Sequence, residues 1–281
     1  MPKHYEALQR AEQERRRKIS GIDAPVPAAV PFEGTSAPPT KVERHGFFRR
    51  LLRAQPNRTI EDAADANKRR IALLQPDSYV AEQYRSLRGR IDSLASQRTL
   101  KTLAVTSANS GEGKSTCSVN LATVTAMSVG RSVLLIDCDL RRPKVHWTLG
   151  LQPQVGLAEV LLNQATIDEA IQKLDGVNLD VLPVRTIPQN PSELLASPEM
   201  RKLIEDISGR YDRIVFDTPA CLGLPDAKSV SDICDGLVMV VRAGVTPQEE
   251  VQAALDILDR RRVVGLVLNG SEATREQYGY Y

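Results

Sequence analysis

The sequence predicts an α/β fold, a mostly parallel β-sheet covered by helices on both faces. Three observations predict it. A short apolar strand, a Gly-rich loop and a helix follow one another between residues 100 and 129. Two further apolar runs, Ser132–Asp137 and Tyr211–Asp217, each end on an aspartate. Strand-like and helix-like stretches then alternate as far as Asn269, with no internal repeat.

The first unit carries the chemistry. Leu100 to Thr106 is rich in Leu, Val and Thr without a helical stripe, so it reads as a buried strand. Cys117 to Val129 places small and apolar residues at helical spacing and stops at Gly130. Between them lies Ser107-Ala-Asn-Ser-Gly-Glu-Gly-Lys-Ser-Thr116, which matches G-x-x-x-x-G-K-[ST] except that Ala108 stands at the first position. Gly111 and Gly113 let backbone N–H groups curl around an anion, Lys114 adds a point charge, and the Ser115 hydroxyl can ligate Mg²⁺. The loop from Ser110 through Glu112 to Thr116 is therefore the expected phosphate-binding loop.

The second strand ends in Asp137-Cys-Asp139-Leu-Arg-Arg142. Alternation in an extended chain points Asp137 and Asp139 to one side, and acids at a strand's carboxyl end face the ligand crevice of an open α/β sheet. Asp217 closes Arg213-Ile-Val-Phe-Asp217 and meets the requirement for a carboxylate that supports Mg²⁺. Together these stretches describe a nucleoside triphosphate site: Lys114 and the loop amides on phosphate, Ser115 with Asp137 or Asp217 on the metal, and Asp139 or Asp137 left to orient or deprotonate an attacking oxygen. Whether that oxygen belongs to water or to a hydroxyl stays open at this level.

Other stretches are read more briefly. Ser78 caps a helix whose stripe Val80, Tyr84, Leu87, Ile91 and Leu94 can lie on the sheet, with Glu82, Arg85 and Arg88 on the other face. Val177–Pro183, Gly236–Arg242 and Val263–Asn269 read as strands, and 226–234 and 247–261 as helices. Residues 1–75 hold 15 Lys and Arg against 9 Asp and Glu, whereas the whole 281-residue chain has a net charge of only +2. That basic extension is expected to be disordered, with five prolines between 21 and 40 and a possible amphipathic patch at 42–53 (Phe47, Phe48, Leu51 and Leu52 among arginines) suited to an anionic membrane surface. The folded domain is expected over 76–274, followed by a tail at 275–281 that holds Tyr278, Tyr280 and Tyr281 of the chain's seven tyrosines.

Four dispersed cysteines lack C-x-x-C spacing, so neither a zinc site nor a disulfide framework is expected and a reduced cytoplasmic setting follows. No apolar run is long enough to span a bilayer, and the first residues lack the hydrophobic region of a signal peptide.

The combination S-A-N-S-G-E-G-K-S-T, L-L-I-D-C-D-L-R-R-P and I-V-F-D-T-P, with Glu82-x-x-Arg85-x-x-Arg88 upstream and terminal tyrosines, resembles the bacterial tyrosine autokinases of capsule and exopolysaccharide synthesis. The resemblance spans residues 76–281 and implies a P-loop ATPase fold that uses ATP and Mg²⁺. It implies Lys114, Asp137, Asp139 and Asp217 as catalytic residues, Ser115, Asp137 and Asp217 on the metal, Ser110 to Thr116 on phosphate and Asn269 near adenine. Glu82, Arg85 and Arg88 would join subunits of a ring in which Tyr278, Tyr280 and Tyr281 of one subunit are phosphorylated in the next. The implied partners are the chain itself, a membrane adaptor of the polysaccharide co-polymerase type and a tyrosine phosphatase, with no nucleic acid; the location is cytoplasmic, recruited peripherally to the inner face of the plasma membrane. The alternative is a ParA/MinD-like ATPase switch controlling dimerisation and membrane or partner binding. Such switches usually carry lysine where this sequence has Asn109, and they give no reason for terminal tyrosines. A non-catalytic scaffold is disfavoured because every acid a working site needs is present.

Overall fold

The structure is a computed structural model that describes residue 67 and residues 69–271. The basic extension through residue 66, its patch at 42–53 and the tyrosine tail at 275–281 lie outside the described residues.

Seven strands form one sheet in the order β3-β4-β2-β5-β1-β6-β7. In chain order these are β1 (Thr102–Ser107), β2 (Val133–Asp137), β3 (Gln172–Leu174), β4 (Leu179–Leu182), β5 (Arg213–Asp217), β6 (Gly236–Arg242) and β7 (Val263–Asn269). All pairings are parallel except the edge pair β3–β4. The mostly parallel α/β sheet expected from the sequence is therefore present. Strand β3 was not foreseen, because three residues beginning Gln172-Lys173 offer no apolar run to detect.

The central strands alternate strictly. Ala104, Leu134, Ile136, Ile214, Phe216 and Met239 face one cluster of buried side chains. Leu103, Val105, Val133, Leu135, Val215 and Val238 face the other. Two helical layers are thus each sealed by an apolar sheet face, which is why these strands read as continuous hydrophobic runs. Phe216 is fully buried, and its truncation to alanine would cost about 3–5 kcal/mol.

On the second face lies α3 (Lys114–Ala126), the helix that follows the Gly-rich loop. Its residues are almost all buried because α2 (Tyr79–Ala95) packs across it. The expected α2 stripe is borne out in part: Ile91, with Tyr84 and Leu87 beside it, joins the cluster on the second sheet face, whereas Val80 is 40% exposed. Ser78 does cap α2, accepting from the Ala81 N–H at 3.2 Å.

The folded body also starts earlier than residue 76. A short helix α1 (Ile71–Leu74) docks on α3, where the Ala72 N–H donates to Asn120 Oδ1 at 2.8 Å and Asn120 Nδ2 donates to the Arg69 carbonyl at 2.7 Å. Reading from hydrophobic periodicity missed it, since one helical turn shows no period. All four cysteines are buried and none is in a disulfide. Among the described residues no helix is long and apolar enough to cross a membrane.

Candidate active site

Strand β5 lies between β1 and β2, and Asp217 stands in register with Asp137 on one side and Val105 on the other. The carboxyl ends of these three strands therefore meet at one place, where the chain's connections diverge and a crevice opens. Into it projects the Gly-rich loop. Gly111 and Gly113 take φ of 88° and 98°, a left-handed backbone that turns successive N–H groups inward. Lys114, the first residue of α3, is 8% exposed, and its Nζ lies 3.6 Å from Asp139 Oδ2.

A cavity of about 290 Å³ gathers the expected phosphate-binding residues Ser110, Gly111, Gly113, Lys114, Ser115 and Thr116, together with Asp139 and Asn269. A larger depression of about 500 Å³ beside Gln164, Thr166, Glu199 and Lys202 contains none of the expected site residues. Chemistry, and not volume, marks the first as the candidate active site.

The three acids divide the work. Asp137 is fully buried; its Oδ1 accepts from the Asp139 N–H at 3.1 Å, and its Oδ2 from those of Lys144 and Val145 at 3.2 and 3.1 Å. It thereby folds the loop that carries Asp139 and starts α4 (Val145–Leu149). Asp139 is the acid that lines the cavity. Asp217 Oδ1 accepts from the Ser118 hydroxyl at 3.0 Å, while its Oδ2 is buried without a hydrogen-bond partner. Burial lifts the Asp217 carboxyl from 3.8 to about 6, although Lys114 and Ser115 favour its charged form. Burial and then the nearby Asp217 hold Asp137 well above the usual carboxylate range.

A buried carboxylate oxygen with no donor suits a cation. Among the described residues no three His, Cys, Asp or Glu side chains cluster as a self-sufficient metal site. The Ser115 hydroxyl at the cavity and the partnerless Asp217 oxygen fit a Mg²⁺.

Glu112 does not line the cavity. It is 4% exposed, and its carboxylate accepts from the Thr246 hydroxyl and from the Asn109 N–H at 3.2 Å. Its carbonyl accepts from Asn269 Nδ2 at 2.9 Å, and Asn109 reaches Glu250 through its own amide. Glu112 is thus a brace that ties the loop to the segment after β6 and to the last residue of β7. Glu82, Arg85 and Arg88 lie on α2, outside the cavity.

Comparison with known proteins decides between kinase and switch. The family model described as an AAA domain matches residues 100–257. The tyrosine-protein kinase YwqD of Bacillus subtilis is 40% identical over 214 residues, which cover 75% of this chain and 90% of that protein. The chain belongs to the bacterial tyrosine kinases.

The solved kinase domain of the Escherichia coli tyrosine kinase ETK superposes with a TM-score of 0.67 at 31% identity, covering 75% of this chain and 84% of that one. The succinoglycan biosynthesis transport protein ExoP of Rhizobium meliloti is 32% identical over 231 residues, 75% of this chain but 29% of that protein. The kinase reading of the sequence thus stands over the ATPase switch.

Four cations at the cavity escaped the sequence reading: Arg69, Arg142, Lys144 and Arg242. Three of them were findable, since Arg142 and Lys144 follow the paired acids and Arg242 ends a strand at its carboxyl end. Arg69 was not, because its stretch read as part of the extension.

Proposed function

We propose that this kinase transfers the γ-phosphoryl group of ATP to Tyr278, Tyr280 and Tyr281 of a neighbouring copy in a ring-like homo-oligomer. The observation that carries this reading is the meeting of Lys114, Asp139 and the unpartnered Asp217 oxygen at one Gly-rich loop. In the transfer, the tyrosine oxygen bonds to the γ-phosphorus, the bond from that phosphorus to the β–γ bridging oxygen breaks, and ADP leaves. The hydroxyl proton passes to Asp139, whose position at the cavity suits it to orient the attacking group. Lys114 and the loop amides oppose the charge on the phosphate oxygens. Asp137, held by three backbone N–H groups, positions Asp139. Ser115 and Asp217 would hold Mg²⁺, which would supply charge neutralisation when bound.

The wider setting follows from the relatives. ExoP is named for polysaccharide biosynthesis and transport and is more than three times as long as the matched region, which supports a role in exopolysaccharide or capsule synthesis and export. A membrane adaptor would then hold the kinase peripherally at the inner face of the plasma membrane, with a tyrosine phosphatase resetting the tail.

The test is direct. Purified protein given Mg-ATP should acquire phosphate on Tyr278, Tyr280 or Tyr281 by mass spectrometry, and Lys114→Met should not. Phosphate release without phosphotyrosine would sink the proposal.

A further inference from the structure

We propose that Arg142 holds the γ-phosphoryl group of bound ATP and opposes its charge during transfer. The inference rests on the kinase reading above and adds to it a second cation, on the side of the acceptor. Arg142 lines the nucleotide cavity together with Lys114, Ser115 and Asp139.

Two consecutive arginines are sent to different duties by the way their backbone is pinned. Arg141 turns to Asp226 and Ser192: its Nε donates to the buried Asp226 carboxylate at 2.7 Å and its Nη2 to the Ser192 hydroxyl at 2.8 Å. The Arg142 N–H donates to Asp139 Oδ1 at 3.0 Å, and the N–H groups of Lys144 and Val145 close on Asp137 Oδ2. Pro143 stands between them with its φ fixed by its ring. The turn is thus held by both acids, and Arg142 rises from a rigid base with its side chain exposed at the cavity. Among the described residues no hydrogen bond or ion pair engages its guanidinium. Arg242, by contrast, donates from Nη1 to the Gly111 carbonyl at 3.4 Å, and Arg69 lies 5.2 Å from the centroid of the Trp147 ring.

Charge balance gives that guanidinium a task. Lys114 Nζ lies 3.6 Å from Asp139 Oδ2, so the cation of the loop is already opposed by an acid, and Asp137 and Asp217 are buried nearby. A triphosphate set beside three carboxylates calls for more positive charge than one paired lysine carries. Asp139 touches both sides, with Oδ2 towards Lys114 and Oδ1 on the Arg142 N–H. Because Asp139 takes the tyrosine proton, the residue beside it stands where the acceptor meets the γ-phosphoryl group. A guanidinium offers paired N–H groups to two phosphoryl oxygens and keeps its protons throughout. The bonds made and broken are therefore those given above, and no further proton moves.

The experiment has two readouts on full-length protein: titration with mant-ATP and with mant-ADP, and the rate of phosphotyrosine formation at saturating Mg-ATP. The variants are Arg142→Gln, Arg142→Lys and, as a charge control, Arg201→Gln, which changes an exposed arginine outside the cavity. Arg142→Gln should bind mant-ATP about tenfold more weakly and mant-ADP less than about twofold more weakly, since only the former carries the γ-phosphate. It should slow transfer about a hundredfold, the order expected for loss of one donor to developing charge, with its melting temperature unchanged. Arg142→Lys should recover more of the binding than of the rate, because it keeps the charge and loses the fork. Arg201→Gln should match the wild type in both readouts. Unchanged transfer at saturating Mg-ATP in Arg142→Gln, or equal losses for mant-ATP and mant-ADP, would overturn the proposal. If the wild type forms phosphotyrosine and Arg142→Gln equals it, the inference about Arg142 falls and the kinase reading stands. If the wild type binds mant-ATP and forms no phosphotyrosine, the kinase reading falls, and the preference for mant-ATP over mant-ADP still decides the γ-phosphate contact.

Discussion

Arg88 Nη1 donates to the backbone carbonyl of Val124 at 2.7 Å and to the Ser128 hydroxyl at 2.6 Å. Val124 belongs to the last turn of α3, where carbonyls have no partner within the helix and the macrodipole presents negative charge. The final arginine of Glu82-x-x-Arg85-x-x-Arg88 is therefore engaged inside its own subunit. Arg85 instead pairs with Glu82 at the exposed surface of α2. Three residues that the sequence groups at one subunit interface thus have different local duties.

The first prediction separates those duties. Arg88→Ala should destabilise the protein by about 1–2 kcal/mol, because a charged hydrogen bond to a helix C-terminus is lost. Arg85→Ala should stay within about 0.5 kcal/mol, as exposed ion pairs contribute little. Urea denaturation measures both. If Arg85 joins subunits, its alanine variant should lower the mass seen by light scattering while keeping the urea midpoint. An unchanged mass would remove it from the interface.

A second prediction concerns Asp217. The folded protein holds this carboxyl's proton to about pH 6, whereas its ordinary value is 3.8. Between those two values the folded state binds more protons than the unfolded chain, so stability falls as pH rises through that window. The nucleotide-free protein should therefore be more stable at pH 5 than at pH 7 in this contribution. Asp217→Asn, which cannot ionise, should be more stable than the wild type at pH 7.5 by on the order of 1 to 3 kcal/mol and should flatten the slope. It should also lose phosphotyrosine formation. Melting curves from pH 4 to 8 decide the matter, and an Asp217→Asn profile parallel to the wild type contradicts it.

Much of this site was legible from residue types alone. Asp217 and Asp137 announced themselves because an apolar run ending in an acid has few meanings in a parallel sheet. The Gly-rich loop did so because glycines at positive φ followed by Lys-Ser have a direct phosphate chemistry. What sequence order concealed was the partition among the acids, since alternation gives Asp137 and Asp139 the same face but cannot reveal three backbone N–H groups converging on one of them. The edge strand β3 and helix α1 were concealed for another reason: elements of three and four residues are specified by tertiary partners such as Asn120, not by their own pattern. The division of Glu112 from the loop around it depends on Thr246, 134 positions away.

The third prediction tests the loop that carries Asp139. Arg141 donates from Nε to Asp226 Oδ2 at 2.7 Å and from Nη2 to the Ser192 hydroxyl at 2.8 Å. The Asp226 side chain is fully buried, while that of Arg141 is 36% exposed. Removing the arginine leaves a buried carboxylate supported by Ser192 alone. Solvent access tempers the cost, so Arg141→Ala should lose about 2 kcal/mol. The Asp226→Asn, Arg141→Ala double variant should recover part of that loss, because the stranded charge is gone. A double variant as unstable as the sum of the two single changes would show that the pair is not coupled.

The last prediction concerns the closest approach in the loop. A Cβ built on Gly113 would stand 1.9 Å from Asn269 Nδ2, and Gly113 holds φ at +98°, a region that side chains rarely adopt. Two penalties therefore act on Gly113→Ala, a steric one from β7 and a backbone one from the loop itself. The second alone is worth about 1–3 kcal/mol. Because Asn269 also donates to the Glu112 carbonyl, pushing it aside breaks the brace between β7 and the loop. Gly113→Ala should accordingly lose ATP affinity by at least tenfold and lower the melting temperature. Replacing Asn269 by alanine in the same protein should restore part of the thermal loss, since the clash is removed, but little of the affinity, since the backbone strain and the missing brace remain. Calorimetric titration with ATP and a melting curve for the two single variants and the double variant measure these effects. Full recovery of affinity in the double variant would place the whole effect in the clash and none in the left-handed turn.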